Sequence, residues 1–297
     1  SKIGSESSHG KYYHSLWVKG LENACAVSAK SKQRTRVVLH SAYVFFSSNL
    51  VNAIGSMING RWNCKNVDIV ILTNAIETTD LFAINIFARY QLNGILSYNF
   101  MIEKQKNSFV TANQNKATIK YYEYNVQNAA SGHSLHTKVS VLGDDVIVGS
   151  ANADVRSYFM DTNNGVYIRN AKSMVRDYNQ YIDSLIAKGE VVDKTASFNY
   201  VDTSAFQKEN DRIAEYAIKK WPSAAKALAG DRKAKLLAKV QKWGMGIRQT
   251  TENIIKAHEG IRENGHLGES DSNGAPGLRA EDLDEMANQF DKMWKPI

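Results

Sequence analysis

The 297-residue sequence is poor in cysteine and has no long apolar run. Its two cysteines, Cys25 and Cys64, exclude a disulfide framework and a multi-cysteine zinc module, although one pair does not fix the redox compartment. No stretch approaches the roughly 18 apolar residues that a membrane span needs. Metal chemistry is not favoured, because His14, His40, His258 and His266 lack metal-ligand spacing. There is no internal repeat, and no basic segment leads into an apolar one as in a secretion signal. The chain begins at Ser1 rather than Met, which fits a trimmed or internal stretch of a longer product. Nothing in it assigns a compartment, and a membrane-associated or a secreted chain is equally compatible with it.

With 43% hydrophobic and 23% charged residues, the composition is that of a globular chain with a real core. The net charge of +7 is unevenly placed. Residues 1–202 carry a net +5, residues 203–258 carry 12 basic against 5 acidic groups, and residues 259–297 carry 4 against 9. The basic belt suits phosphates, on lipid headgroups or on nucleic acid, and equally suits a solvated helical face.

Periodicity predicts a layered α/β lobe over residues 13–202, a mixed β-sheet flanked by helices, preceded by a Ser/Gly-rich linker at 1–12. The expected elements are a helix over 13–30, a strand at Thr35–Leu39, a helix through Ile58, a strand at Val67–Leu72, helical stretches over 79–93 and on to 106, and a strand at Thr118–Tyr124. Strands follow at 135–142 and 146–149 around Gly143-Asp144-Asp145, then another at 165–168 and a helix over 171–188. Residues 203–258 read as a basic helical extension broken at Trp221-Pro222 and Gly230, and 259–297 as a flexible linker with a short acidic helix near 280–293. Leu236, Val240, Trp243 and Ile247 give the extension an apolar stripe, to lie on an anionic membrane or to pack on the neighbouring lobe.

The chemistry is concentrated in Leu135-His136-Thr137-Lys138 and Gly149-Ser150-Ala151-Asn152. On a strand, His136 and Lys138 share a face, which sets an imidazole beside an ammonium. With a three-residue hairpin loop, Lys138 faces Ser150 and His136 faces Asn152, so four polar groups converge. A two-residue loop sends Ser150 and Asn152 to the opposite face. Such a cluster suits phosphodiester chemistry: Lys138, Asn152 and Ser150 hold non-bridging oxygens while the imidazole attacks phosphorus or protonates the leaving oxygen.

His-x-Lys, an Asp, then Gly-Ser-x-Asn resembles the HKD motif of the phospholipase D superfamily. Ile71-Leu-Thr-Asn74, Thr79-Asp80, Tyr121-Tyr-Glu-Tyr124, Ala153-Asp-Val-Arg156-Ser157 and Asp161-Thr-Asn-Asn-Gly165 follow the order of the second lobe of bacterial cardiolipin synthases and phospholipases D. The resemblance covers roughly residues 13–188. It implies a phosphodiesterase or phosphatidyltransferase that acts on phospholipid without cofactor or metal, through a phosphohistidine made by two HKD histidines. His136, Lys138 and Asn152 match catalytic positions and Ser150 a substrate-binding one.

The sequence departs from the pattern in three places. Gly143 stands where the motif Asp usually lies, so Asp144 or Asp145 substitutes as a structural element. Asp161 and Asn163 replace an Asn-x-Glu. Only one complete motif is present, since His9-Gly-Lys11 repeats the spacing without a following strand or Gly-Ser-x-Asn. The second motif is then expected from a preceding lobe of a longer chain or from a homodimer mate. In a two-lobed enzyme His136 would serve as general acid and base.

Around this centre, Thr73 and Asn74 are expected to bind substrate, with Thr79 and Asp80 beside them shaping the groove or ending a strand and capping a helix. Asp154 and Arg156 are expected to support the Asn152 loop as an ion pair, and His133 is either a remote neighbour of His136 or without a role. Two alternatives stand beside the phospholipid reading: a metal-independent endonuclease working as a homodimer, and a non-catalytic scaffold lobe.

Overall fold

The computed structural model describes residues 12–104, 115–124, 127, 134–159, 161–199, 203–220 and 231–264. The His9-Gly-Lys11 spacing, His133, residues 1–11 of the linker expected over 1–12, the break at 221–230 and the acidic segment beyond 264 lie outside the described residues, and Tyr12 begins a helix.

Helix α1 (Tyr12–Ser31) carries Trp17, Leu21, Ala24 and Cys25 at helical spacing and buries all four. Strand β1 (Thr35–Ser41) and the short β2 (Val44–Phe45) lead to α2 (Ser48–Ile58), β3 (Val67–Thr73) and α3 (Phe82–Lys104). Next come β4 (Thr118–Tyr124), the hairpin β5 (Lys138–Leu142) and β6 (Asp145–Gly149), β7 (Ala153–Asp154), α4 (Val155–Phe159) and β8 (Gly165–Ile168). Helix α5 (Lys172–Ala187), β9 (Val191–Asp193), α6 (Ser204–Lys220) and α7 (Asp231–Asn264) complete the order. The two helical stretches expected over 79–106 are one helix that starts at Phe82, because the residues before it turn toward the β1 end. Helix α7 runs past the expected end at 258 to Asn264.

Seven strands form one mixed sheet in the order β8-β6-β5-β1-β3-β4-β9. Strands β1, β3 and β4 are parallel, and β3 is the most apolar of them, with Val67, Ile69, Val70, Ile71 and Leu72 all buried, as a strand covered on both faces must be. Strand β5 lies antiparallel beside β1, so its first residue meets the carboxyl end of β1, with Lys138 opposite Ser41. A second, two-stranded sheet pairs β2 with β7 in parallel.

Side-chain alternation divides the core. Val37, Leu39, Ile69 and Ile71 point toward α1, α2, α3, α6 and α7, while Val38, Val70, Leu72 and Val141 point toward Val175, Ile182 and Leu185 of α5. Each fully buried aliphatic contributes about 1.5–3 kcal/mol, so the larger face dominates stability. Helix α7 belongs to that face. Ile247, Ile254 and Ile255 are buried, and Gly244 lies against Tyr90, where an added Cβ would stand 2.2 Å from the ring. Of the stripe, Val240 and Ile247 therefore pack on the lobe, while Trp243 lies beside the Phe87 ring and stays 45% exposed. Cys25 and Cys64 form a disulfide that ties α1 to the turn before β3.

One buried cluster had no counterpart in the sequence reading. Arg89, 1% exposed in the middle of α3, pairs with Glu123 of β4 and with Glu209 at 2.8 Å, and its Nε donates to Asn210 at 3.0 Å. Tyr121 donates to the same Glu123 at 2.6 Å, and the Phe198 ring lies 4.8 Å from the guanidinium carbon. An arginine among the mostly apolar positions of Phe82–Leu96 was the available signal.

Candidate active site

The turn between β5 and β6 decides how the motif residues meet. The register pairs Leu142 with Asp145 and Val139 with Val148, so the loop has two residues, Gly143 and Asp144. Gly143 has φ +72°, and Asp144 is not among the residues with positive φ, which is the pattern of a type II′ connection with glycine first. This excludes the three-residue register, in which Ser150 would face Lys138. Ser150 instead bonds to the strand beside it: its amide donates to the Asn164 carbonyl at 2.9 Å, and its hydroxyl accepts from the Asn164 amide at 3.0 Å and lies 3.3 Å from Asn163 Oδ1.

Asn152 reaches the β1 end by another route. The chain leaves β6 and enters β7, whose pairing with β2 carries Asn152 to Ser41, the residue opposite Lys138. Asn152 Oδ1 lies 3.3 Å from the Ser41 hydroxyl, which also donates to the Tyr43 carbonyl at 2.7 Å. The Asn152 amide donates to Ser157 Oγ at 3.1 Å. Among the described residues, Asn152 Nδ2 donates to nothing, so one amide donor is left for a ligand.

His136 is exposed, and the Lys138 Nζ lies 3.4 Å from its Nδ1, 3.3 Å from its Nε2 and 3.1 Å from its carbonyl oxygen. Among the described residues, Lys138 has no carboxylate within salt-bridge distance. Burial pushes its pKa down, and the charges of Asp154 and Asp80 offset part of that.

The supporting residues fall differently from expectation. Thr73 and Asn74 are both buried. The Thr73 hydroxyl donates to the Ala42 carbonyl at 3.1 Å; Asn74 Nδ2 donates to the carbonyls of Ala42 and Leu135, while its Oδ1 accepts from the Leu135 amide at 2.9 Å. The fold uses both internally: both tie down the Ala42 carbonyl, and Asn74 also clamps the backbone next to His136. Asp145, not Asp144, is the inward carboxylate of the hairpin, accepting from Tyr167 and from the Asn170 amide at 2.8 Å. Asp144 is exposed, its carbonyl accepting from Ala171.

Asp154 and Arg156 do not pair with each other. Asp154 accepts from the Ser157 amide at 2.6 Å at the start of α4, and Arg156 pairs with Asp161 at 3.2 Å, because the helical turn separates the two side chains. Burial raises the Asp154 carboxyl to about 6, against the opposing pull of Ser157 and Arg156. Tyr43 donates to Asp80, a pair the sequence did not single out. Burial first, then the Asp80 carboxylate, raises the Tyr43 hydroxyl well above its ordinary value.

An ammonium, an exposed imidazole and an unspent amide donor thus lie at the carboxyl ends of the parallel strands, where open α/β sheets bind ligands. Donors of this kind can hold the charged oxygens of a phosphodiester while the imidazole moves a proton or attacks. Among the described residues, no group of three or more His, Cys, Asp or Glu side chains is placed to hold a metal ion.

Residues 27–186 match the family described as cardiolipin synthase, PLD-like domain, and the chain belongs to it. That family is one of phosphodiester-acting enzymes. Among solved structures the chain is similar to Nuc, a phospholipase D family member from Salmonella typhimurium, at 15% identity over 59% of this chain and 88% of Nuc, with a TM-score of 0.35. It is also similar to phosphatidylserine synthase from Haemophilus influenzae Rd KW20, at 10% identity over 66% of this chain and 41% of the synthase, with a TM-score of 0.39. NucT from Helicobacter pylori matches at 13% identity over 62% of this chain and 95% of NucT, with a TM-score of 0.34. Comparison with curated proteins gives no match.

Proposed function

We propose that this chain supplies one half of a phospholipase D-type site that hydrolyses or transfers the phosphodiester of a phospholipid through a phosphohistidine. The observation that carries this reading is the Lys138 ammonium, set against both ring nitrogens of an exposed His136 and, among the described residues, without a carboxylate within salt-bridge distance. Lys138 and Asn152 Nδ2 take the non-bridging oxygens. One imidazole attacks phosphorus and forms the P–N bond; the P–O bond to the leaving alcohol breaks, and the imidazolium of a second motif gives that alcohol its proton. Water or an acceptor alcohol, deprotonated by the same second imidazole, then attacks phosphorus and releases the first. His136 is the general acid and base when a preceding lobe supplies the nucleophile, and takes either role in a homodimer.

Phospholipid is chosen over nucleic acid because the matching stretches extend beyond the motif in the order of lipid-active relatives. The exposed Lys235, Lys239 and Lys242 of α7, with the exposed Trp243, suit contact with an anionic membrane surface. The test is headgroup release from phospholipid vesicles by the wild-type chain, alone and with a second HKD lobe added, against His136→Ala and Lys138→Ala. Near-normal turnover in either variant overturns the reading. Metal-independent cleavage of plasmid that falls steeply with salt, without phospholipid turnover, replaces it with the nuclease.

A further inference from the structure

Asp80 is an exposed carboxylate whose position is held from below. The buried Tyr43 donates its hydroxyl to it, and the Tyr43 carbonyl in turn accepts from Ser41, the residue opposite Lys138. The Ala42 amide donates to the Thr137 carbonyl at 3.0 Å, so the segment bearing Tyr43 is bonded directly to the one bearing His136 and Lys138. Asp80 does not act as the cap of α3: the Leu81 amide donates to Thr79 Oγ1 at 3.2 Å, and Asp80 turns away to Tyr43. Among the described residues it has no cationic partner within salt-bridge distance, and its charge acts on the Lys138 ammonium beside the larger influence of the buried Asp154.

The site is therefore dipolar, with a cation and donors at one end and an anchored, unneutralised carboxylate at the other. Resting on the proposed phosphodiester chemistry, we infer that Asp80, positioned by Tyr43, is the specificity-determining residue for a zwitterionic headgroup, taking its ammonium while Lys138 and His136 take its phosphate. A nucleic acid strand carries a further phosphate on each side of the scissile one, and like charge against Asp80 would reject it. A headgroup of hydroxyls alone can hydrogen-bond to Asp80 but gains no ion pair.

The experiment compares the wild type with Asp80→Asn and Tyr43→Phe. Binding of glycerophosphoethanolamine and glycerophosphoglycerol to the full chain is measured by calorimetry, and KM and kcat are measured on vesicles of the corresponding lipids. In the wild type the ethanolamine compound binds more tightly. A charge-assisted contact is worth about tenfold, so Asp80→Asn removes about that preference and the loss appears in KM for the ethanolamine lipid rather than in kcat. Tyr43→Phe, which frees Asp80 without removing it, loses part of the preference, and circular dichroism with thermal melts checks that both variants fold. No preference in the wild type, or an equal preference in Asp80→Asn, overturns the inference. The binding arm needs no second lobe, so it reads this inference in a chain that is catalytically silent alone. Phospholipid turnover with no headgroup preference sinks the role of Asp80 and leaves the proposed function standing, whereas plasmid cleavage without phospholipid turnover sinks that function.

Discussion

Two arginine- or lysine-centred clusters in the same lobe differ in what surrounds the cation. Arg89 is enclosed: two carboxylates, an amide and an aromatic face occupy it. Lys138 has an imidazole ring and one carbonyl, with carboxylates acting only from beyond salt-bridge distance. A buried charge costs several kcal/mol unless its hydrogen bonds are complete, so the first arrangement joins α3, β4 and α6. The second leaves binding capacity unspent, which is what a site for an anionic ligand requires.

The difference can be broken from either side. His136→Ala is expected to abolish turnover, by more than about a thousandfold, while shifting stability by less than about 0.5 kcal/mol, since an exposed side chain is removed; steady-state kinetics and urea melts check both. Arg89→Ala reverses the pattern. Stability should fall by about 3–5 kcal/mol, because the buried Glu123 carboxylate is left without its cation, and urea denaturation reads it directly. A loss below about 1 kcal/mol would mean that the cluster is not the fastener described above.

Two buried groups on different elements sharpen the contrast through pH. His40 contacts the Tyr178 hydroxyl at 2.7 Å, and burial lowers its pKa from 6.5 to about 4. Its contribution is present above the unfolded value and is lost as pH falls from 6.5 through about 4. Asp154 is shifted the other way, from 3.8 to about 6, so its contribution is present below 3.8 and is lost as pH rises through about 6. Each is worth on the order of 3 kcal/mol, and over the shared window the two oppose each other. Asp154→Asn should therefore expose a loss of stability on acidification, and His40→Asn a loss on raising the pH, read as urea midpoints at acidic and neutral pH. The same slope in both variants would refute these assignments. The smallest effect expected is Gly143→Ala, about 1 kcal/mol, because an L side chain is strained at φ +72°.

Much of the lobe was legible in local pattern. The strand at Thr118–Tyr124 and the helix ending at Ile58 lie where the apolar and β-branched spacing puts them. Their faces are decided by neighbours within one turn or one pleat. The His136–Lys138 adjacency is likewise local, a matter of two residues of spacing and of the Lys138 contact with the His136 carbonyl, although β5 begins only at Lys138 and not at the expected Leu135. The register was harder. Gly-Asp is itself a two-residue turn signal, but the neighbouring second Asp allowed a longer loop, and only the position of Gly143 at positive φ separates the two. Asn74 looked like a ligand-facing loop residue because nothing local shows that its amide meets Leu135, 61 residues away.

The sequence by itself determined the element order, the half-motif and the chemistry of its donors, because each depends on residues within a few positions. The tertiary structure decided the rest: that Asn152 arrives through the β2–β7 pair rather than across the hairpin, that Arg156 pairs with Asp161, and that Tyr43 bonds to Asp80. These contacts join strands far apart in the chain. Their energies are set by burial and by which donors remain unsatisfied after packing, and neither quantity exists before the sheet has formed.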